Sequence, residues 1–308
     1  MNNFKNWYIY KIIAAKVHKL IVSLNPEAEM NRVYYKTYHR YPNLKNPKNL
    51  IEKIYWMQLH TDTTMWTKCA DKFAMRDYVK DCGYENYLPK NYGKWYNAAD
   101  IDFNILPTEF VLKTNNGCGT VLLVSDKNTL DLKATRKKLQ RWLNVPYGWA
   151  GGQLHYTRIK PCILAEELLH QDDVQKSITS QSMVDYKVWC LNGVPECILV
   201  VYNRIKKVNY KLDMYNTNWG RIPNSLKLTS HFTGKEEIFP RPACLEEMLE
   251  IASKLSNPFP EVRVDFYVIN NKPIIGELTF TSGYGNYTDE FYDYLGSKID
   301  LSKINIIR

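Results

Sequence analysis

The sequence predicts an α+β fold with antiparallel sheet and helix mixed along the chain, and three observations carry that reading. Two hairpin signatures stand far apart: DYKVWCLNGVPECILVVY turns at Asn192 and Gly193, and VRVDFYVINNKPIIGELTF turns at Asn270 and Asn271. Each is a pair of turn-forming residues flanked by alternating apolar positions. Helical segments such as LDLKATRKKLQRWL and CLEEMLEIASKL lie before and between them. Hairpins require antiparallel pairing, so a parallel doubly wound sheet describes the chain less well.

Residues 6–24 form a helical pattern in which Trp7, Ile9, Tyr10, Ile13, Ala14, Val17, Leu20 and Ile21 make a broad apolar arc. Lys11, Lys16, His18 and Lys19 interrupt it, leaving no run of about 18 apolar residues to cross a bilayer and no small-residue cleavage site. Such a helix either docks on the body or lies on anionic lipid, with docking preferred. Two prolines in TYHRYPNLKNPKNL then stop any helix. Residues 71–83 read as a helix with Asp71 as N-cap and Gly83 as terminator. A strand over 109–113, the loop TNNGCG and a strand over 121–124 follow. In the basic helix after them Leu132, Leu139, Trp142 and Leu143 face inward, while Lys133, Lys137, Lys138 and Arg141 are solvated.

The glycine- and aromatic-rich stretch after that helix is a loop or lid, and its aromatics between Tyr147 and Tyr156 either stack on a sugar or simply pack. The strand CILAEELL and the acidic loop QDD lead into the first hairpin. A long tyrosine- and asparagine-rich connection precedes a helix that turns Leu245, Met248, Leu249, Ala252 and Leu255 inward. The second hairpin closes the core.

A chain of 308 residues with 45% hydrophobic and 24% charged residues is globular and large enough for one composite fold or two domains. Its net charge of +9, from 41 basic and 32 acidic residues, favours an anionic partner. Nucleic acid is not expected, because zinc-finger spacing, aromatic RNA-binding motifs and long basic runs are all missing. Seven scattered cysteines without a Cys-x-x-Cys pair fit reduced thiols. His155, His170 and His231 lack metal-ligand spacing.

Two features carry chemistry. A three-residue loop at 270–272 would set Asp265 opposite Glu277 and Arg263 opposite Thr279, all on one face. Carboxylates that close repel unless a cation or an arginine lies between them, and a divalent metal answers that problem. A two-residue loop would send the carboxylates to opposite faces. In FVLKTNNGCGT, Lys113 ends a strand, and a loop with Gly117 and Gly119 follows that suits phosphate oxygens as well as a plain tight turn. It is neither a P-loop nor a dinucleotide fingerprint.

Taken together, DKFAMRDYV, FVLKTNNGCGT, ILAEELL, DYKVWCLNG and VRVDFYVINNKPIIGELTF resemble the TupA-like branch of the ATP-grasp enzymes, linked to teichuronopeptide and other surface-polysaccharide (capsule) biosynthesis. The resemblance runs from about residue 50 to 300. It implies an ATP-grasp fold, two α+β subdomains clasping ATP, with an N-terminal helical extension over 1–65, a part with the glycine loop over 66–162, and a part with adenine hinge and metal hairpin over 163–308. It implies ATP and Mg2+ as cofactors. Lys72 and Lys113 would bind phosphates under a loop of Asn115, Asn116, Gly117, Cys118 and Gly119. Glu166, Glu167, Leu168 and Leu169 would hold adenine, and Asp172 or Asp173 the ribose. Asp265 and Glu277 would hold magnesium, with Thr279 standing where many relatives carry an asparagine ligand. Lys187 would reach the γ-phosphate or the substrate, and Arg263 would steady the transferred phosphoryl group or the acyl phosphate. The implied activity is a cytoplasmic carboxylate–amine ligase joining an amino acid or amine to a uronic-acid-type sugar precursor. A glycosyltransferase, a phosphotransferase acting on a sugar hydroxyl, and a membrane-surface scaffold remain the alternatives.

Overall fold

The computed structural model describes residues 2–307 except 180–181, 206–208, 228, 230–231, 234–237 and 282, and no side chains at 2–11, 205, 209 or 232–233. His231 and the side chains of Trp7, Ile9 and Tyr10 thus lie outside the described residues. Five helices open the chain: α1 (Asn2–Leu24), α2 (Pro26–Tyr38), α3 (Leu50–His60), α4 (Thr64–Ala70) and α5 (Met75–Asp81). Strands β1 (Asn91–Trp95), β2 (Phe110–Thr114) and β3 (Val121–Val124) precede α6 (Leu132–Leu143) and α7 (Leu154–Thr157). Then come β4 (Ile163–Glu166), α8 (Asp173–Ile178), β5 (Asp185–Leu191), β6 (Val194–Ile205), β7 (Asn209–Asn216) and β8 (Phe232–Thr233). The last elements are α9 (Leu245–Ser256), β9 (Glu261–Ile269), β10 (Lys272–Thr279) and α10 (Asp289–Ser297).

These elements form two compact units, each gathered from three stretches of chain. The first holds Met1–Tyr41, Asp62–Met75 and Pro89–Leu168; the second holds Pro42–Thr61, Arg76–Leu88 and Leu169–Arg308.

In the first unit a four-stranded antiparallel sheet has the order β1-β4-β2-β3. Phe110, Leu112, Val124, Ile163 and Ala165 make its core with Leu139 and Leu143 of α6. The buried line on α6 runs through Thr135, Leu139 and Leu143 at intervals of four, so Leu132, expected inside, is left exposed on the first turn. The helix expected from Asp71 starts later, at Met75. The Asp71 carboxylate instead accepts the N–H groups of Phe73 (2.8 Å) and Ala74 (3.2 Å), capping a turn between α4 and α5. Gly83, at φ 89°, does terminate α5.

The loop after α6 is packed. Lys19 Nζ lies 5.5 Å above the Trp149 ring, Arg32 donates to the Ala150 carbonyl (3.1 Å), and a Cβ on Gly152 would lie 2.9 Å from Met30 Cγ. Tyr147 meets Tyr156 edge-on, and His155 is buried against Trp66. Trp149 thus meets α1, while Tyr147 and Tyr156 meet each other within the stretch. α1 and α2 themselves are joined by His18 and the buried Glu29, 3.0 Å apart.

The second unit is built on a six-stranded sheet of order β10-β9-β5-β6-β7-β8. Asn192 (φ 51°) and Gly193 (φ 78°) give the two-residue turn with both φ positive that the sequence predicts between β5 and β6. α9 packs on β5, β6 and β9 through Leu245, Met248, Ile251, Ala252 and Leu255. α10 meets the N-terminus of α3 at Gly296, where a Cβ would run into the Lys48 carbonyl and sit 2.7 Å from Asn49 Cα. Three strands had no clear sequence signal: β1, NYGKW, reads as a loop, and β7 and β8 lie within the long connection.

Candidate active site

In the second unit the loop of the β9–β10 hairpin has two residues, not three. Asn270 (φ 49°) and Asn271 (φ 58°) form it, and Ile269 pairs with Lys272. Uninterrupted, that register would send Asp265 and Glu277 to opposite faces. A bulge at Gly276 inserts one residue on β10 between the Ile275–Phe266 and Glu277–Asp265 pairs and restores the opposition. Glu277 faces Asp265, and Thr279 faces Arg263.

The next strand completes the array. Lys187 of β5 pairs with Asp265, and Trp189 pairs with Arg263. One row across three strands is Lys187, Asp265, Glu277; the row beside it is Trp189, Arg263, Thr279. Lys187 Nζ lies 2.5 Å from Asp265 Oδ2. Arg263 grips the same carboxylate with two prongs, Nε to Oδ1 at 2.6 Å and Nη2 to Oδ2 at 2.7 Å, and its Nη2 is 3.6 Å from Glu277 Oε1. Thr279 Oγ1 lies 3.2 Å from Glu277 Oε1. The arginine between the two acids relieves their repulsion in the ligand-free chain. Burial opposes the charge on Arg263, but Asp265 and Glu277 outweigh it and hold the guanidinium above its ordinary pKa.

Three residues of this face were not singled out from sequence. Arg204 donates to Asp185, two positions before Lys187, at 2.6 Å. The β6–β7 register shifts between Tyr202 and Ile205 at Asn203, whose φ is 50°; an asparagine inside an apolar strand pattern was the available signal. Glu261, four residues before Asp265, is fully buried and neither of its oxygens has a hydrogen-bond partner. Burial pushes its pKa well above the ordinary carboxyl range, against the pull of Arg263.

Asp172 and Asp173 part company. Asp172 caps α8 by accepting the Gln175 N–H (2.7 Å) and also takes the Asn270 N–H at the hairpin turn (2.6 Å), so both oxygens are occupied. Asp173 opens α8, where a loop was expected, with its side chain in solvent.

In the first unit Lys113 forms an ion pair with Glu166, its diagonal neighbour across β2 and β4. Glu166 ends β4, so CILAEELL is a strand only over its first half; Glu167 bonds back to Lys90, its N–H to the carbonyl oxygen at 2.9 Å. Leu168 is the last residue of the first unit and Leu169 the first of the final stretch of the second. Lys72 donates its backbone N–H to Asn115 (3.1 Å) and its Nζ to the Gly117 carbonyl (3.2 Å), which places it on the loop that follows Lys113. Asn115 is turned inward: it donates to the Lys160 carbonyl (3.0 Å) and accepts the Cys162 N–H (2.8 Å). Asn116 is also buried, whereas Cys118 and Gly119 are exposed. A Cβ on Gly117 would lie 2.7 Å from Thr120 Oγ1 and 2.9 Å from Thr114 Oγ1, so glycine is needed there by the loop's own closure.

The donors available for a metal are two carboxylates and a hydroxyl; among the described residues no group of three or more His, Cys, Asp and Glu side chains gathers. Magnesium is commonly held by one or two carboxylates plus substrate phosphates, so Asp265 and Glu277 suffice for that chemistry. All seven cysteines are free thiols, and burial pushes Cys162 and Cys190 up to about 12.

Among solved structures the chain is similar to D-alanine–D-alanine ligase from Bacillus anthracis, at 14% identity over 82% of this chain and 74% of the ligase, with a TM-score of 0.48. The same ligase complexed with ATP is matched over 54% of its length, with a TM-score of 0.39. L-amino acid ligase from Bacillus licheniformis is matched at 16% identity over 72% of this chain and 45% of its own, with a TM-score of 0.38. The chain thus spans about half the length of several of these proteins. No curated protein sequence matches it. The TupA-like ATP-grasp family matches residues 52–300, and this protein belongs to that family.

Proposed function

We propose that the protein is an ATP- and magnesium-dependent ligase that joins a carboxylate to an amine, acting in surface-polysaccharide biosynthesis on a uronic-acid-type sugar. The array of Lys187, Asp265, Glu277, Arg263 and Thr279 carries the reading, because two cations, Arg263 buried and Lys187 partly buried, beside two hard carboxylates suit polyphosphate chemistry. Magnesium held by Asp265 and Glu277 would neutralise phosphate oxygens. Arg263 and Lys187 are each bound to Asp265 in the ligand-free chain, which fixes both cations on the face where the phosphoryl group would be transferred. Lys113, Lys72 and the loop at 117–119 would bind phosphates, and residues 166–169 adenine. Asp173, whose solvent-exposed carboxylate meets only Lys176 at 3.3 Å, suits the ribose hydroxyls better than Asp172, whose two oxygens are both taken by backbone N–H groups.

A substrate carboxylate oxygen would attack the γ-phosphorus and ADP would leave. An amine would then attack the acyl carbon and release phosphate, leaving an amide. Arg263 and Lys187 would offset the negative charge of the transferred group in the first step. The test is ATP-dependent phosphate release with a uronic acid and an amino acid supplied together. Release that requires both substrates supports the ligase. Phosphorylation of a sugar with no free phosphate would replace it with a phosphotransferase, and binding of a nucleotide sugar in place of ATP with a glycosyltransferase.

A further inference from the structure

One face of α1 is uncovered. Ile13, Val17, Leu20 and Leu24 are 56%, 52%, 62% and 78% exposed. Their spacing of four, three and four places them within about 60° of arc on a helix of 3.6 residues per turn. The first unit uses the opposite side, where Ala15 and Val22 are buried and His18 meets Glu29. The apolar stripe is therefore separate from the docking face.

Charge decides what covers it. α1 contains Lys5, Lys11, Lys16 and Lys19 and no Asp or Glu. Lys16 is exposed next to the stripe. A second copy of the helix would bring lysines against lysines with no acid to pair them, and the described stripe spans fewer than the three or four heptads a coiled coil needs. Among the described residues no helix is long and apolar enough to cross a membrane. A short exposed apolar stripe on a helix whose only charged side chains, His18 aside, are lysines suits a helix lying in the plane of an anionic lipid surface, with its apolar side chains at the acyl boundary and Lys16 among the headgroups.

We propose that α1 docks the protein on anionic membrane through Ile13, Val17, Leu20 and Leu24. The docking is independent of the ligase reading. Bonds to the rest of the unit, Lys19 over Trp149 and His18 to Glu29, make the helix a fixed foot and not a tether.

The experiment is co-sedimentation of the full chain with vesicles of phosphatidylcholine alone and of phosphatidylcholine with an equal share of phosphatidylglycerol. The wild type is compared with Val17→Glu/Leu20→Glu and with Lys16→Glu, each first checked for an unchanged melting temperature. The expected result is binding to the anionic vesicles only, weakened at least ten-fold by the double substitution and several-fold by Lys16→Glu or by high salt. No binding to anionic vesicles overturns the proposal, as does binding that survives the double substitution. A concentration-dependent dimer that the double substitution abolishes, without vesicle binding, also overturns it and assigns the stripe to a second copy.

Discussion

Lys187 Nζ and Asp265 Oδ2 lie 2.5 Å apart, directly opposed across β5 and β9, and Arg263 forks the same carboxylate from the other side. Asp265 thus neutralises two poorly exposed cations. Asp265→Ala would take away the carboxylate that both cations bind, leaving Glu277, at 3.6 Å, to face Arg263, and cost about 3–5 kcal/mol. Lys187→Met removes one of two partners and should cost about 1 kcal/mol. Urea unfolding of the two variants checks the ranking, and equal costs would contradict it.

Lys113 is held by Glu166 in the same way within the first unit. If Lys113 binds phosphate, Glu166 competes with the nucleotide for its charge. Lys113→Met should weaken ADP binding at least ten-fold, whereas Glu166→Gln should leave it intact or strengthen it a few-fold. Calorimetry with ADP decides, and a loss in Glu166→Gln as large as in Lys113→Met would make the pair structural.

The bulge at Gly276 sets the face of Glu277. Deleting Gly276 should carry Glu277 and Thr279 away from Asp265 and abolish magnesium-dependent nucleotide binding. Gly276→Ala should change little, because its Cβ would meet the Asp265 carbonyl and the Tyr267 ring no closer than 3.4 Å and the backbone φ there is not positive. Nucleotide titration of both variants, with circular dichroism to confirm the fold, separates register from side-chain size.

Acid should destabilise the first unit through His155. Burial lowers its pKa to about 3 from an ordinary 6.5, so between those values the unfolded chain binds a proton that the native chain does not. Stability conferred by neutral His155 is present above about pH 6.5 and is lost as pH falls, by up to about 1.4 kcal/mol per unit. Glu261 acts in the opposite sense: its raised pKa means that the unfolded chain gives up a proton the native chain keeps, so stability falls as pH rises above the ordinary carboxyl range. Glu261→Gln should therefore stabilise the protein more at pH 8 than at pH 5, measured by urea midpoints.

Much of this was legible in the sequence, and the failures have local causes. Asn192 and Gly193 gave the β5–β6 turn outright, since few residues accept two positive φ values in succession. Asp265 and Glu277 do face each other as expected, although by a different route: the loop is one residue shorter and Gly276 compensates. A glycine within a strand pattern is a bulge signal, and it was readable there. β1 was hidden because NYGKW owes its strand to pairing with β4, which local propensity does not report. The roles of Asp172 and Asn115 were hidden for a related reason. Each spends its polar atoms on backbone far away in sequence, at Asn270 and at Lys160 and Cys162, and only the fold brings those partners near.

The most direct measurement is calorimetric titration of ATP into the wild type, Asp265→Asn and Glu277→Gln, with magnesium and with a chelator. Magnesium-dependent binding in the wild type, weakened at least ten-fold in both variants at unchanged melting temperature, is the outcome this site requires. Binding of equal strength in all three proteins, or binding indifferent to magnesium, would contradict a metal role for Asp265 and Glu277.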